Sequence, residues 1–131
     1  MPVIGKVLDV RKLLLFLSER RPDYATIEDV HSMPRQGVAS SFKFGLVTGI
    51  VQGVIAALQI PYALVPPATW TRRMCEGVDG SMEPKARSRA AAMRLFPEQS
   101  FIVGPRSRVP HDGMIDATLI ALYGLRKSRG D

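Results

Sequence analysis

The feature that most constrains this chain is a mostly apolar run from Phe44 to Leu58, broken by Thr48 and Gln52 and holding three glycines, Gly45, Gly49 and Gly53. A membrane-spanning helix needs about 20 largely apolar residues. This run is shorter and interrupted, so a helix buried in a protein core accounts for it better. The glycines recur every fourth residue and therefore form one smooth stripe along the helix. Glycine costs about 1 kcal/mol relative to alanine inside a helix, so tight packing on a sheet or a neighbouring helix is the expected reason for three in register. A membrane dimerisation stripe is the alternative use of the same spacing.

The flanking sequence supplies strands on both sides of this helix. Tyr24 to Val30 predicts a short strand in which Glu28 and Asp29 are unusual charged members. His31 to Ala39 is a loop by its proline, glycine and polar content. Ser40 or Ser41 is placed to cap the long helix, which Ile60 and Pro61 end. Tyr62 to Val65 predicts a second strand, followed by a stiff turn from Pro66 to Thr69 and a short basic helix with Trp70, Arg72 and Arg73. Upstream, Asp9 caps a helix with apolar positions Val10, Leu13, Leu14, Phe16 and Leu17, closed by Pro22 and Asp23. Downstream, a helix runs over Glu83 to Phe96, with Pro84 tolerated in its first turn. A long connection follows, with a possible strand at Ser100 to Val103. A last helix spans His111 to Lys127 and continues into a tail carrying Arg129. Strands alternating with helices predict an α/β domain with a partly parallel sheet.

Length and charge narrow the function classes. The 131 residues fit one domain, 1–131, and carry a formal net charge of +6 with a pI near 10.0. Such an excess favours polyanions, either phosphate backbones or anionic lipid. The single cysteine, Cys75, excludes an internal disulfide and a multi-cysteine zinc site, and fits a reducing intracellular compartment. No N-terminal targeting signal is expected, because Met1 to Val10 lacks a long apolar stretch behind a basic start.

Three acids are candidates for chemistry. Glu28 lies in a strand with apolar neighbours, and a buried carboxylate is costly unless it is paired or bound to metal; a water-facing edge residue is the ordinary alternative. Asp112 and Asp116, four apart, project from one face of the last helix. Two like charges there repel unless a dication lies between them, although the helix N-terminus alone also favours anions. His111 adjoins them as a possible ligand or proton carrier, or as a solvent-facing loop residue. Such an oxygen-rich set suits Mg²⁺ or Mn²⁺ rather than zinc. Beside a basic surface, carboxylate-held metals suggest two-metal phosphodiester hydrolysis.

The basic residues make the second constellation. Lys85 and Arg89 share a helix face, with Arg94 on the same helix and Arg72, Arg73, Arg106 and Arg108 in flanking segments. A phosphate-contacting surface or an ordinary solvated face is the choice there. Arg35 and Gln36 in the loop and Lys43 at the head of the long helix join Arg72, Arg73, Lys85 and Arg89 as candidate DNA contacts. Trp70 either fills core or stacks on a base.

Taken together, ATIEDVHSMPRQGVASSFKFGLVTGIVQGVIAALQIPYALVPPATW, KARSRAAAMRLFP and HDGMIDATLIALYG resemble the RuvC-like Holliday junction resolvases of phage and bacteria, over about residues 9–125. The resemblance implies an RNase H-like fold, a mixed sheet flanked by helices, here incomplete at the N-terminus. It implies Glu28, Asp112 and Asp116 as ligands of Mg²⁺ or Mn²⁺, with His111 as accessory ligand or proton carrier. It also implies branched or duplex DNA as substrate, a homodimer matched to a two-fold junction, and a cytoplasmic, bacterial or phage setting without a membrane. The family's opening strand, with its catalytic Asp followed by glycine, should precede residue 1. Asp9 is not its substitute, since it caps a helix. Either a misassigned start or a degenerate remnant explains the gap. The first metal ligand is then expected to be missing, so that the chain binds DNA yet cuts poorly or not at all, with a non-catalytic DNA-binding or scaffold remnant as the alternative. An exposed strand edge and apolar surface are expected to remain. Thr71 stands where the family's pattern leads one to expect lysine after the tryptophan.

Overall fold

The computed structural model describes residues 3–4, 7–31 and 33–131. Ser32 of the loop after the first predicted strand lies outside the described residues, as do Met1, Pro2, Gly5 and Lys6 of the segment read for a targeting signal. The chain is mixed α/β. The described residues form five helices and two two-stranded sheets, divided between a first compact unit, Met1–Leu64, and a second, Val65–Asp131.

The first unit opens with an antiparallel hairpin of β1 (Val3–Ile4) and β2 (Val7–Leu8), in which Val3 faces Leu8 and Ile4 faces Val7. Helix α1 (Val10–Arg20) starts as its sequence predicts. The Asp9 carboxylate accepts a hydrogen bond from the Lys12 amide at 3.1 Å and satisfies one of the donors that a helix N-terminus leaves unpaired. Arg21 ends the helix in the left-handed region, φ 41°, and Pro22 cannot continue it. Strand β3 (Ala25–Glu28) is shorter than the predicted Tyr24–Val30, so Glu28 stands at its C-terminal end rather than in its middle. It pairs with β4 (Tyr62–Val65), the strand predicted at those residues, and the long helix α2 (Val38–Ala57) connects them. The Ala25 amide donates to the Pro61 carbonyl at 2.9 Å at the start of this pairing.

Helix α2 departs from expectation in two ways. It begins at Val38, capped by Gly37 through backbone conformation alone, so neither Ser40 nor Ser41 is the cap. It is also not a buried core helix: Ile55 is its one buried residue, and Phe42, Phe44 and Leu46 are 72%, 45% and 49% exposed. The helix is apolar on every side, while α1 is the helix that packs against it, so most of its circumference has no cover in its own unit. The glycine stripe shares this fate. A Cβ added at Gly45, Gly49 or Gly53 would meet no atom within 4 Å, so close packing inside the unit is not what those glycines serve. Among the described residues, α2 is the one helix long and apolar enough to cross a membrane.

The second unit is a three-helix assembly of α3 (Pro67–Met74), α4 (Pro84–Leu95) and α5 (Asp112–Ser128), with α5 packed against both of the others. Its core contains Trp70, Met74, Phe101, Ile115 and Leu119, and Trp70 is 2% exposed, so this tryptophan fills core rather than offering a stacking face. Ala91 and Ala92 are fully buried on α4, where their small side chains let two helix backbones approach closely. The predicted strand at Ser100–Val103 is absent. Its apolar residues have no partner strand; Phe101 turns inward while Ile102 and Val103 stay half exposed. The Phe101 carbonyl instead accepts from the His111 amide at 2.7 Å, which anchors the approach to α5.

Candidate functional site

The candidate residues gather most densely where α4 meets the first turn of α5. His111 is the N-cap of α5, and its Nδ1 accepts a hydrogen bond from the Met114 amide at 3.2 Å. An accepting Nδ1 carries no proton, so the neutral ring is the Nε2–H tautomer. Its visible work is therefore structural, holding the helix end at which Asp112 begins. Gly113 suits this cap, because a Cβ there would lie 3.1 Å from the imidazole Cε1.

Asp112 is held by cations of the preceding helix. The Arg89 Nε donates to its Oδ1 at 2.8 Å, and Lys85 Nζ lies 3.8 Å from its Oδ2. The i,i+4 spacing of Lys85 and Arg89 puts both on one face of α4, opposite the first turn of α5. The hydrogen bond from Arg89 is the main cause that pulls the Asp112 carboxyl below the ordinary carboxylate range; partial desolvation opposes it, and the charges of Arg89 and Lys85 add to it. The same bond raises the Arg89 guanidinium above its usual value. The cluster is open to solvent, with the Asp112 and Arg89 side chains 32% and 36% exposed. Asp116 follows one turn later on α5, half-buried.

Glu28 belongs to the first unit. It sits half-buried at the C-terminal end of β3, the side of a strand where α/β folds commonly present ligand-binding groups. Next to it, the Asp29 Oδ1 lies 3.7 Å from the His31 Nε2. The loop beyond makes a tight turn, in which Arg35 adopts φ 69° and the Gln36 side-chain oxygen accepts from the Met33 amide at 3.0 Å. Gln36 is thus tied to its own loop, whereas Arg35 and Lys43 are exposed. Arg72 and Arg73 lie exposed in the last turn of α3, in the second unit.

The oxygen donors are chemically suited to Mg²⁺ or Mn²⁺. Neither unit by itself, among the described residues, brings three His, Cys, Asp or Glu side chains into a group able to hold a metal ion. Asp112 and Asp116 belong to the second unit and Glu28 to the first. Two features of this site escaped sequence reasoning. The Arg89–Asp112 bond joins residues 23 apart in sequence, and the capping role of His111 differs from the ligand, proton-carrier and solvent-facing loop roles that its sequence position suggests. The matched face of Lys85 and Arg89 was the one local hint. No protein-family model matches the chain, and no curated protein matches its sequence.

Proposed function

We propose that this chain is an RNase H-like protein of the RuvC-like type that binds branched DNA and hydrolyses its phosphodiester bonds with Mg²⁺ or Mn²⁺. The observation that carries the reading is the solvent-open cluster at the head of α5, where Asp112 lies against Lys85 and Arg89 and Asp116 follows one turn later on the same helix. Carboxylates are the ligands of hard cations and guanidinium groups are the preferred partners of phosphate, so the two needs of DNA hydrolysis meet on one pair of helices. Glu28 is the third carboxylate of the proposal. Bound metal would supply an activated water and a charge to stabilise the leaving oxygen. An approaching backbone phosphate competes with Asp112 for Arg89, so DNA docking frees the carboxylate at the moment it is needed as a ligand. A two-fold junction fits a homodimer, cytoplasmic and bacterial or phage-encoded.

A second reading draws on the same cluster. A carboxylate neutralised by Arg89 at 2.8 Å and Lys85 at 3.8 Å is a weaker metal ligand than a free one, which favours a non-catalytic DNA-binding protein of the same fold. A labelled four-way junction with Mn²⁺ separates the two. Nicking that is abolished by Glu28→Gln and by Asp116→Asn supports the nuclease. Metal-independent junction binding without nicking, unchanged by Asp116→Asn, supports the binder. Absence of binding to junction and duplex at low salt removes both.

A further inference from the structure

The far end of α5 carries a second charged feature, where two of the candidate DNA contacts, Arg72 and Arg73, meet two cations that the nuclease reading does not use, Arg126 and Lys127. Within the second unit, a cavity of about 570 Å³ is lined on the α3 side by Thr69, Arg72, Arg73 and Glu76, and on the α5 side by Tyr123, Arg126 and Lys127. The spacing explains the lining. Thr69, Arg72, Arg73 and Glu76 follow i, i+3, i+4, i+7 along α3 and its end, and Tyr123, Arg126 and Lys127 follow i, i+3, i+4 along α5, so each set is one helix face. Buried Trp70 and Met74 on α3, and Leu119 and Ile120 on α5, belong to the core that holds these helices together.

Four cations therefore line one hollow whose acids are Glu76 and Asp131. Glu76 pairs with Arg73 at 3.7 Å, while Arg72, Arg126 and Lys127 form no ion pair among the described residues. The C-terminal dipole of α5 favours cations in its last turn and explains Arg126 and Lys127 individually. The C-terminal dipole of α3 explains Arg72 and Arg73 in the same way, but neither dipole explains why the two helix ends present their cations to the same space, where like charges repel. A bound anion removes that repulsion. The volume falls in the range of small-molecule sites, and an aromatic wall beside guanidinium groups suits a base attached to a phosphate.

We propose that the cavity between α3 and the C-terminal half of α5 binds a nucleotide phosphate, with Arg72, Arg73, Arg126 and Lys127 contacting the phosphate and Tyr123 contacting the base. The phosphate comes from either of two sources, a free nucleotide or a nucleotide within a nucleic-acid strand. Arg126 lies 14 residues beyond Asp112 on α5, about 21 Å along the helix axis. A strand that reaches both ends of α5 would be held at two separate points. This inference builds on the nucleic-acid reading above, but its test needs no metal and no cleavage.

The experiment is metal-free titration calorimetry at low salt on the full chain, with inorganic pyrophosphate, a nucleoside triphosphate and a short single-stranded oligonucleotide as separate probes. Arg72→Ala/Arg126→Ala is expected to weaken pyrophosphate binding by about tenfold or more, as loss of two charge-assisted contacts requires. Arg11→Ala/Arg20→Ala, which removes the same charge from the first unit, should leave it unchanged. Tyr123→Ala should weaken the nucleoside triphosphate but not pyrophosphate, a readout that a folding defect would not produce. Oligonucleotide binding tighter than nucleoside triphosphate binding assigns the site to a strand, and the reverse assigns it to a free nucleotide. Equal losses in the two arginine pairs would mean general charge attraction and overturn the site, as would no binding of any probe. A chain that binds pyrophosphate here yet never nicks DNA leaves this site standing while the nuclease reading falls.

Discussion

The Arg89 guanidinium donates to the Asp112 carboxylate across 2.8 Å, joining the middle of α4 to the first residue of α5. The bond lowers the pKa of Asp112, so the folded state holds this proton less tightly than the unfolded chain does. The contribution to stability is present above the ordinary carboxylate range and is lost as the pH falls through the depressed folded value. Arg89→Met should return the Asp112 carboxyl toward its ordinary titration. Carbon-detected NMR of the aspartate carboxyls measures this directly, and an Asp112 midpoint unmoved by Arg89→Met would falsify the pairing.

The His111 cap makes a second, separable prediction. Its imidazole Nδ1 accepts the Met114 amide hydrogen. Removing a capping acceptor costs about 1 kcal/mol, so His111→Ala should lower unfolding free energy by about that amount. Asn also accepts at an N-cap, and His111→Asn should restore most of the loss. Urea unfolding of the three proteins decides it. Equal destabilisation by Ala and Asn would mean that the ring contributes through something other than its hydrogen bond.

Local signals in the sequence carried much of the fold. Asp9 as a cap, Pro22 as a stop and Tyr62–Val65 as a strand depend on a few neighbouring residues, and each appears where its local chemistry places it. Elements that depend on a partner were not legible. Ser100–Val103 has strand-like composition, yet a strand exists by pairing, and here the Ser100 hydroxyl takes up the Ile102 amide at 3.3 Å in a loop. The start of α2 hid for a different reason, since Gly37 caps without a side chain. At the candidate site, the shared face of Lys85 and Arg89 could be read from their spacing. That Asp112 answers them could not, because nothing local links residues 89 and 112.

Gly77 is a position where backbone conformation demands glycine and where an added Cβ would push on the end of a neighbouring arginine side chain. Its φ is 82°, and a Cβ there would lie 2.9 Å from Arg94 Nη1, on a side chain whose Nη2 donates to the Glu76 carbonyl at 2.7 Å. Gly77→Ala therefore strains the backbone and displaces the arginine that ties α4 to the end of α3. A loss of about 1–2 kcal/mol is expected, the range for an L-residue forced to positive φ together with one charged hydrogen bond. Adding Arg94→Ala to Gly77→Ala should cost less than the sum of the single losses, since the two share one cause. Strict additivity in thermal unfolding would refute the coupling.

Helix α2 offers a test of whether its apolar surface is open in the free chain. Phe42 is 72% exposed and Ile55 is 5% exposed on the same helix. If the chain unfolds from a monomer, Ile55→Ala should cost about 2–5 kcal/mol by opening a cavity, whereas Phe42→Ser should fall within about 0.5 kcal/mol of the parent as exposed substitutions do. An apolar helix surface of this extent ordinarily has a partner, and the proposed homodimer supplies one. In that case the cost of Phe42→Ser rises with protein concentration, because the dimer binds the folded state alone. Unfolding measured at two concentrations, with sedimentation at each, distinguishes the outcomes. A Phe42→Ser penalty that equals that of Ile55→Ala at every concentration would mean that Phe42 is buried within the monomer, contrary to the arrangement described for α2.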